Sequence, residues 1–133
     1  MSSELNLSTL LKEMQPVKQG VYAFCVLDDE TYRSLPACPL CTFQEAEGLT
    51  VIIDQASADT LGLPYTYSGT LITLNVFSSL DAVGFLARIS TKIAAAGIGL
   101  NAFSPVHHDH IFVRPSDADR AMELLWELSR ETV

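Results

Sequence analysis

The chain is short of basic residues, of cysteine and of long apolar runs, and each shortage removes a class of function. Eight Lys plus Arg stand against sixteen Asp plus Glu, a formal net charge of −8 over 133 residues. A sequence-independent nucleic-acid binder needs a cationic face to displace condensed counterions, and an anionic membrane surface asks for the same, so both partners are excluded. No segment offers the roughly 18 uninterrupted apolar residues of a membrane span. Nor does the N-terminus show a basic start followed by an apolar run. Three cysteines, an odd number, suit a reducing compartment better than a disulfide framework. Together these absences lead to the expectation of a cytoplasmic protein. Catalytic signatures are missing as well: there is no Gly-rich phosphate loop, no GxSxG elbow, no HExxH and no paired-acid motif on an expected pocket. A non-catalytic protein with no cofactor follows as the expectation.

What is present is enough for a core, since 48% of the residues are apolar. From Thr70 to Arg130 the pattern reads strand, helix, strand, strand, helix. Ile72, Leu74 and Val76 alternate with Thr73, Asn75 and Phe77, the period of a half-buried strand. A helix is expected within residues 78–97, with Ser79 or Asp81 capping its start, Leu86, Ile89 and Ile93 on one face, and Gly97 in a left-handed C-terminal position. The chain turns back through residues 98–106, where Ile98, Leu100 and Ala102 share a face. A polar hairpin around His107 to Asp109 then leads into residues 110–114. Pro115, Ser116 and Asp117 form a helix start, and Ala118, Ala121, Met122, Leu125 and Leu128 mark one stripe.

Three segments of this half, SLDAVG at 79–84, AGIGLN at 96–101 and DHIFV at 109–113, resemble in order and spacing the ACT domain, the regulatory βαββαβ unit of amino-acid metabolism. The whole chain is similar to small stand-alone bacterial proteins with paired ACT-like halves, related to the ACT modules of the animal cytosolic arginine sensor. The resemblance implies an α+β fold of tandem ferredoxin-like βαββαβ halves, with antiparallel sheets and helices on one face. A degenerate half would occupy residues 1–66 and a full ACT domain residues 67–133, joined through the Gly- and Pro-containing stretch at 62–69.

The first half is organised differently. Leu7, Leu10, Leu11 and Met14 lie at helical spacing with Ser2, Ser3 or Asn6 as a cap, and Pro16 and Gly20 end that helix. Residues 21–27 are apolar on both faces, Val21, Ala23, Cys25 and Leu27 against Tyr22, Phe24 and Val26, which implies a strand covered on both sides. Residues 28–39 are too polar and Pro-interrupted for more than one helical turn. A hairpin turning near Ala46 to Gly48 and a brief helical piece around residues 57–63 complete this half.

The resemblance also implies a function: binding a small molecule, an amino acid above all, and reporting it to a regulated protein partner. In the family the ligand lies at the first strand-to-helix turn and the facing start of the second strand. The matching residues are Phe77, Ser78, Ser79, Leu80, Asp81, Val83 and Gly84 in the turn, with Ile98, Gly99, Leu100 and Asn101 opposite. Helix-start N–H groups and serine hydroxyls suit a carboxylate, while Asp81 or Asn101 suits an ammonium. The same residues also serve plain structure: Ser79 and Asp81 as caps, Asn101 as a sheet-edge side chain, Gly84 for close approach or for packing. A sheet apolar on both faces needs a second covering, so a homodimer is expected, with Trp126 at a contact or in the core.

Two other constellations compete. Cys38 and Cys41 have CxxC spacing, and His107, His108 or His110 would complete a tetrahedral zinc site, though the second regularly spaced pair of a strong zinc signal is absent. Cys41, His108 and Asp109 form the nucleophile, base and orienter of a hydrolytic alternative. A protein-interaction module that binds no small ligand is the remaining alternative.

Overall fold

A computed structural model describes residues 3–132. In chain order the elements are α1 (Leu7–Lys12), β1 (Pro16–Leu27), α2 (Asp29–Arg33), β2 (Cys41–Glu45), β3 (Gly48–Asp54), α3 (Gln55–Leu61), β4 (Tyr67–Leu74), α4 (Phe85–Ala95), β5 (Asn101–Phe103), β6 (Asp109–Val113), a 3-10 turn (Pro115–Asp117) and α5 (Ala118–Glu131). They form two compact units. One comprises residues up to Gln19 together with those from Thr70 onward, and the other is Gly20–Gly69, inserted between them. The chain crosses from one unit to the other inside β1 and again inside β4.

Each unit is a βαββαβ arrangement of antiparallel strands and helices. In the inserted unit β3 pairs with β1 and with β2, placing Phe24 opposite Ile52 and Phe43 opposite Thr50. The β2–β3 turn falls where the sequence puts it, with Glu45 facing Gly48. Helix α2 is short, as the polar and Pro-rich composition demands, and α3 closes with Gly62 in the left-handed region at φ 69°. Ala23, Cys25, Leu27, Val51, Ile53 and Ala58 make this unit's core. The opposite side of β1 departs from expectation. Tyr22 and Phe24 are half-buried and Val26 is 65% exposed, so within a single chain only one face of this stretch is fully covered.

In the outer unit β4 pairs with β6, and β6 with β5, so Ile72, Ile111 and Ala102 stand in one row. The strand order β1-β4-β6-β5 gives β1 the place of the fourth strand. Pairing sets Ile72, Leu74, Ile111 and Val113 on the helix-covered face, where they meet Phe85, Ile89 and Ile93 of α4 and Ala121, Leu124, Leu125 and Leu128 of α5. Leu10, Leu11 and Met14 fill the same core. Asn6 caps α1 by accepting from the Thr9 N–H at 3.0 Å, and Ser129 Oγ donates to the Lys12 carbonyl at 2.9 Å, tying α1 to α5. Gly97 sits at φ 76° after α4, the conformation its position calls for.

Three expectations fail locally. Val76 lies beyond the end of β4. Strand β5 is only three residues long and its Ala102 is exposed rather than facing inward with Ile98 and Leu100. Strand β1 begins at Pro16 rather than near residue 21, because pairing carries extended structure through the exposed Lys18, Gln19 and Gly20. No helix among the described residues is long and apolar enough to cross a membrane.

Candidate functional site

The connection from β4 to α4 builds the outer unit's most informative concavity. Its first residues are held from behind: the Glu4 N–H donates to the Phe77 carbonyl at 2.8 Å, and the Ser79 N–H donates to the Glu4 carbonyl at 2.9 Å. Ser79 Oγ then accepts from the Asp81 N–H at 3.1 Å. That bond closes a local turn rather than capping a helix, so neither Ser79 nor Asp81 caps α4. Gly84 is the N-cap instead, at φ 94°, and it brings no side chain to the task. Among the described residues no side chain caps the start of α4, whose first N–H groups have no intrahelical acceptor.

Beside this uncapped helix start lies a depression of about 180 Å³ lined by Ser78, Ser79, Leu80, Ala82, Gly84, Phe85, Leu86, Ala87, Ser104 and Asp109. It is smaller than the roughly 300–1,000 Å³ typical of drug-sized ligands, so it suits a small metabolite or one end of a larger one. Asp109, at the head of β6, is 9% exposed, and its Oδ2 accepts from Ser78 Oγ at 2.9 Å. Donors and a carboxylate thus share one small space.

Of the residues singled out from sequence, Ser78, Ser79, Leu80 and Gly84 line the depression. Phe77 stacks on His107 with ring centroids 5.2 Å apart. Asp81 is exposed, and Val83 is 83% exposed. The facing segment contributes less than expected: Ile98 is buried in the core, Leu100 packs against it, and Gly99 and Asn101 are exposed outside the lining. Ser104 and Asp109 take their place. The sequence did not mark Ser104, and it marked Asp109 only as the orienter of the hydrolytic alternative and the first residue of the DHIFV segment.

The Cys and His residues show a different chemistry. Burial pushes the Cys41 thiol above its ordinary pKa, away from the thiolate a nucleophile needs. His108 Nδ1 is bonded to the Val76 carbonyl at 3.0 Å, and Asp109 to Ser78, rather than to each other. Cys38 is exposed. Among the described residues no group of three His, Cys, Asp or Glu side chains converges to hold a metal.

Two stretches, residues 2–69 and 67–127, each match the ACT domain. A solved structure from Vibrio cholerae, described as a protein of unknown function and possible transport protein, is 39% identical over 92% of this chain and 95% of its own, with a TM-score of 0.80. The chain belongs to the ACT domain family. Solved structures of similar fold at lower identity include a protein from Agrobacterium tumefaciens, 17% identical over 83% of this chain and 84% of its own, TM-score 0.64. The regulatory subunit of aspartate kinase from Thermus flavus is 7% identical over 85% of this chain and 95% of its own, TM-score 0.62. These two show the shared architecture alone. No curated protein matches the chain.

Proposed function

We propose that this ACT protein is a non-catalytic regulatory protein that binds a small metabolite, an amino acid, at the turn from β4 to α4. The observation that carries the reading is the α4 N-terminus without a side-chain cap, opening onto a depression lined by three serines and a carboxylate. Unpaired helix-start N–H groups are a natural receptor for a carboxylate. Ser78, Ser79, Leu80 and Gly84 form the ligand side of the turn, with Phe77, Asp81 and Val83 around it and Ile98, Gly99, Leu100 and Asn101 as the neighbouring strand start. The family match supports regulation rather than catalysis.

On this reading the protein is a cytoplasmic homodimer that signals to a protein partner, a stand-alone counterpart of the ACT modules of the animal cytosolic arginine sensor. Exposed Leu80 and Val83, at 65% and 83%, favour a dimer contact beside the ligand turn. The two halves 1–66 and 67–133 each descend from one ACT module. A thermal-shift screen of the purified chain against the standard amino acids tests the function. A ligand at 100 times its dissociation constant stabilises the fold by about 2.7 kcal/mol, and Ser78→Ala is expected to reduce that gain. No shift with any amino acid sinks the reading.

A further inference from the structure

The negative charge of the chain is concentrated in the inserted unit. Gly20–Gly69 hold seven Asp plus Glu against a single base, Arg33, so −6 of the net −8 lies there. Arg33 is already engaged on α2, where its Nε pairs with Asp29 Oδ2 at 2.8 Å. The same unit has an open sheet face. Ala23, Cys25, Leu27, Val51 and Ile53 point to the side packed with Ala58 of α3 and Tyr32 of α2, so strand alternation turns Phe24, Val26, Thr50, Ile52, Cys41 and Phe43 to the other. Register lines these up as two rows, Phe24–Ile52–Cys41 and Val26–Thr50–Phe43. The first row is closed: Ile52 is fully buried, and Phe24 packs edge-on against Tyr67 with ring centroids 4.9 Å apart. In the second, Val26 is 65% exposed and Phe43 66%. The hairpin end fixes Val26 in place, since a Cβ on Gly48 would stand 3.0 Å from Val26 Cγ1.

Single exposed apolar side chains are ordinary, but two in one cross-strand row beside a buried isoleucine form a patch of the kind that marks a protein contact. Its rim is acidic. Glu45 shares the face with Phe43 and accepts from Thr50 Oγ1, in the middle of the open row, at 3.0 Å. No Lys or Arg forms an ion pair with Glu45 among the described residues. Glu47 is exposed in the adjoining turn. A second copy laid on this face would set like charges together, whereas a cationic segment would complement them. We propose that this open row is the docking surface for a basic amphipathic segment of the regulated protein, whose apolar side chains cover Val26 and Phe43 while its Lys or Arg residues meet Glu45 and Glu47. The net charge of the unit steers such a segment toward it. This rests on the regulatory reading above only in requiring a protein partner, and it separates the tasks: the outer unit holds the ligand turn and the inserted unit the docking face.

The test uses the full chain, isotope-labelled for NMR, at about 0.15 M salt, where exposed charges more than about 8 Å apart are screened. Two synthetic amphipathic helical peptides are titrated in, one of leucine and lysine and its counterpart of leucine and glutamate. The lysine peptide is expected to shift amides of β2, β3 and the second half of β1, and the glutamate peptide to shift none. Phe43→Ser and Val26→Ser, both at exposed positions, are each expected to weaken binding of the lysine peptide at least about tenfold. Glu45→Gln should flatten its salt dependence, and Val106→Ser, at a position 57% exposed in the outer unit, should leave it unchanged. If a variant fails to fold, the shift map of the unaltered protein decides alone. Shifts spread over the acidic residues of both units, or undiminished binding by Phe43→Ser, would reduce the effect to bulk charge and overturn the proposal. Equal binding of the two peptides overturns the need for a basic partner. Dimerisation of the unaltered chain that Phe43→Ser abolishes gives the face to a second copy and overturns it too. Each of these results leaves the amino-acid screen, and the ligand turn it tests, untouched.

Discussion

The side chain of Leu7 lies beneath Gly84: a Cβ built on Gly84 would stand 3.5 Å from Leu7 Cδ2. The space would admit a methyl group; the backbone would not. At φ 94° an L-residue is strained, so Gly84→Ala is expected to cost about 1–2 kcal/mol. Equilibrium urea unfolding of the two proteins measures it, and equal midpoints would show that the turn relaxes without cost.

Acid should weaken the fold in two stages, the first belonging to His110. Burial, then the nearby His108, depresses its folded pKa, with Asp109 opposing. The unfolded chain takes up its proton near about pH 6.5, while the folded chain resists until lower pH. Between those points the unfolded state holds more protons, so stability falls as pH falls, and the loss levels off below the folded value. His110→Gln should flatten stability between about pH 7 and 5. A second stage, below about pH 4, belongs to carboxylates held under their usual range: Asp28 and Asp54 by bonds from Thr31 and Ser57, Asp119 by Lys18. Their stabilisation is present above the unfolded pKa and disappears through the folded one. Stability measured by urea titration across pH in both proteins separates the stages.

Neighbouring residues on α5 should answer very differently to truncation. Leu125 is fully buried against α4 and the strands, and Leu125→Ala is expected to cost about 2–5 kcal/mol. Trp126, the next residue, is 39% exposed, and Trp126→Ala should cost much less in the isolated chain. A comparable loss for both, read from unfolding midpoints in dilute solution, would place Trp126 in a covered contact.

A protein cut at the sequence junction should not yield a folded second half. Residues 67–133 alone lack Pro16–Gln19, the part of β1 that lies in their unit, together with Leu10, Leu11 and Met14, all at most 1% exposed. The fragment is expected to show a broad, uncooperative thermal transition. A sharp transition near that of the whole chain would show that α1 and β1 are dispensable.

Much of this could be read in advance where local pattern and packing agree. The stripe on α5, the left-handed Gly97 and the hairpin at Ala46 to Gly48 each follow from spacing and turn chemistry. The failures occur where tertiary context overrides local preference. Lys18, Gln19 and Gly20 carry no strand period, yet they are held in β1, and Gln19 Nε2 donates to Thr73 Oγ1 at 2.7 Å. Ser79 and Asp81 are favoured capping residues, but Gly84 starts the helix later and leaves them in a turn. Half of the depression was legible as a turn motif. Ser104 and Asp109 were not, because only the β4–β6 register and the β5–β6 connection bring them to the start of α4.

Because the chain crosses between units inside β1 and β4, ancestry and stability divide it along different lines. By likeness, the residues before Gln19 fall within the ACT match at 2–69; by packing, they sit with the partner module. Leu10 and Met14 are thus inherited with one module and constrained by the other. Exchanging whole modules between relatives at residue 66 would pair the outer unit's core with a stranger's α1, while the core of the inserted unit would travel intact.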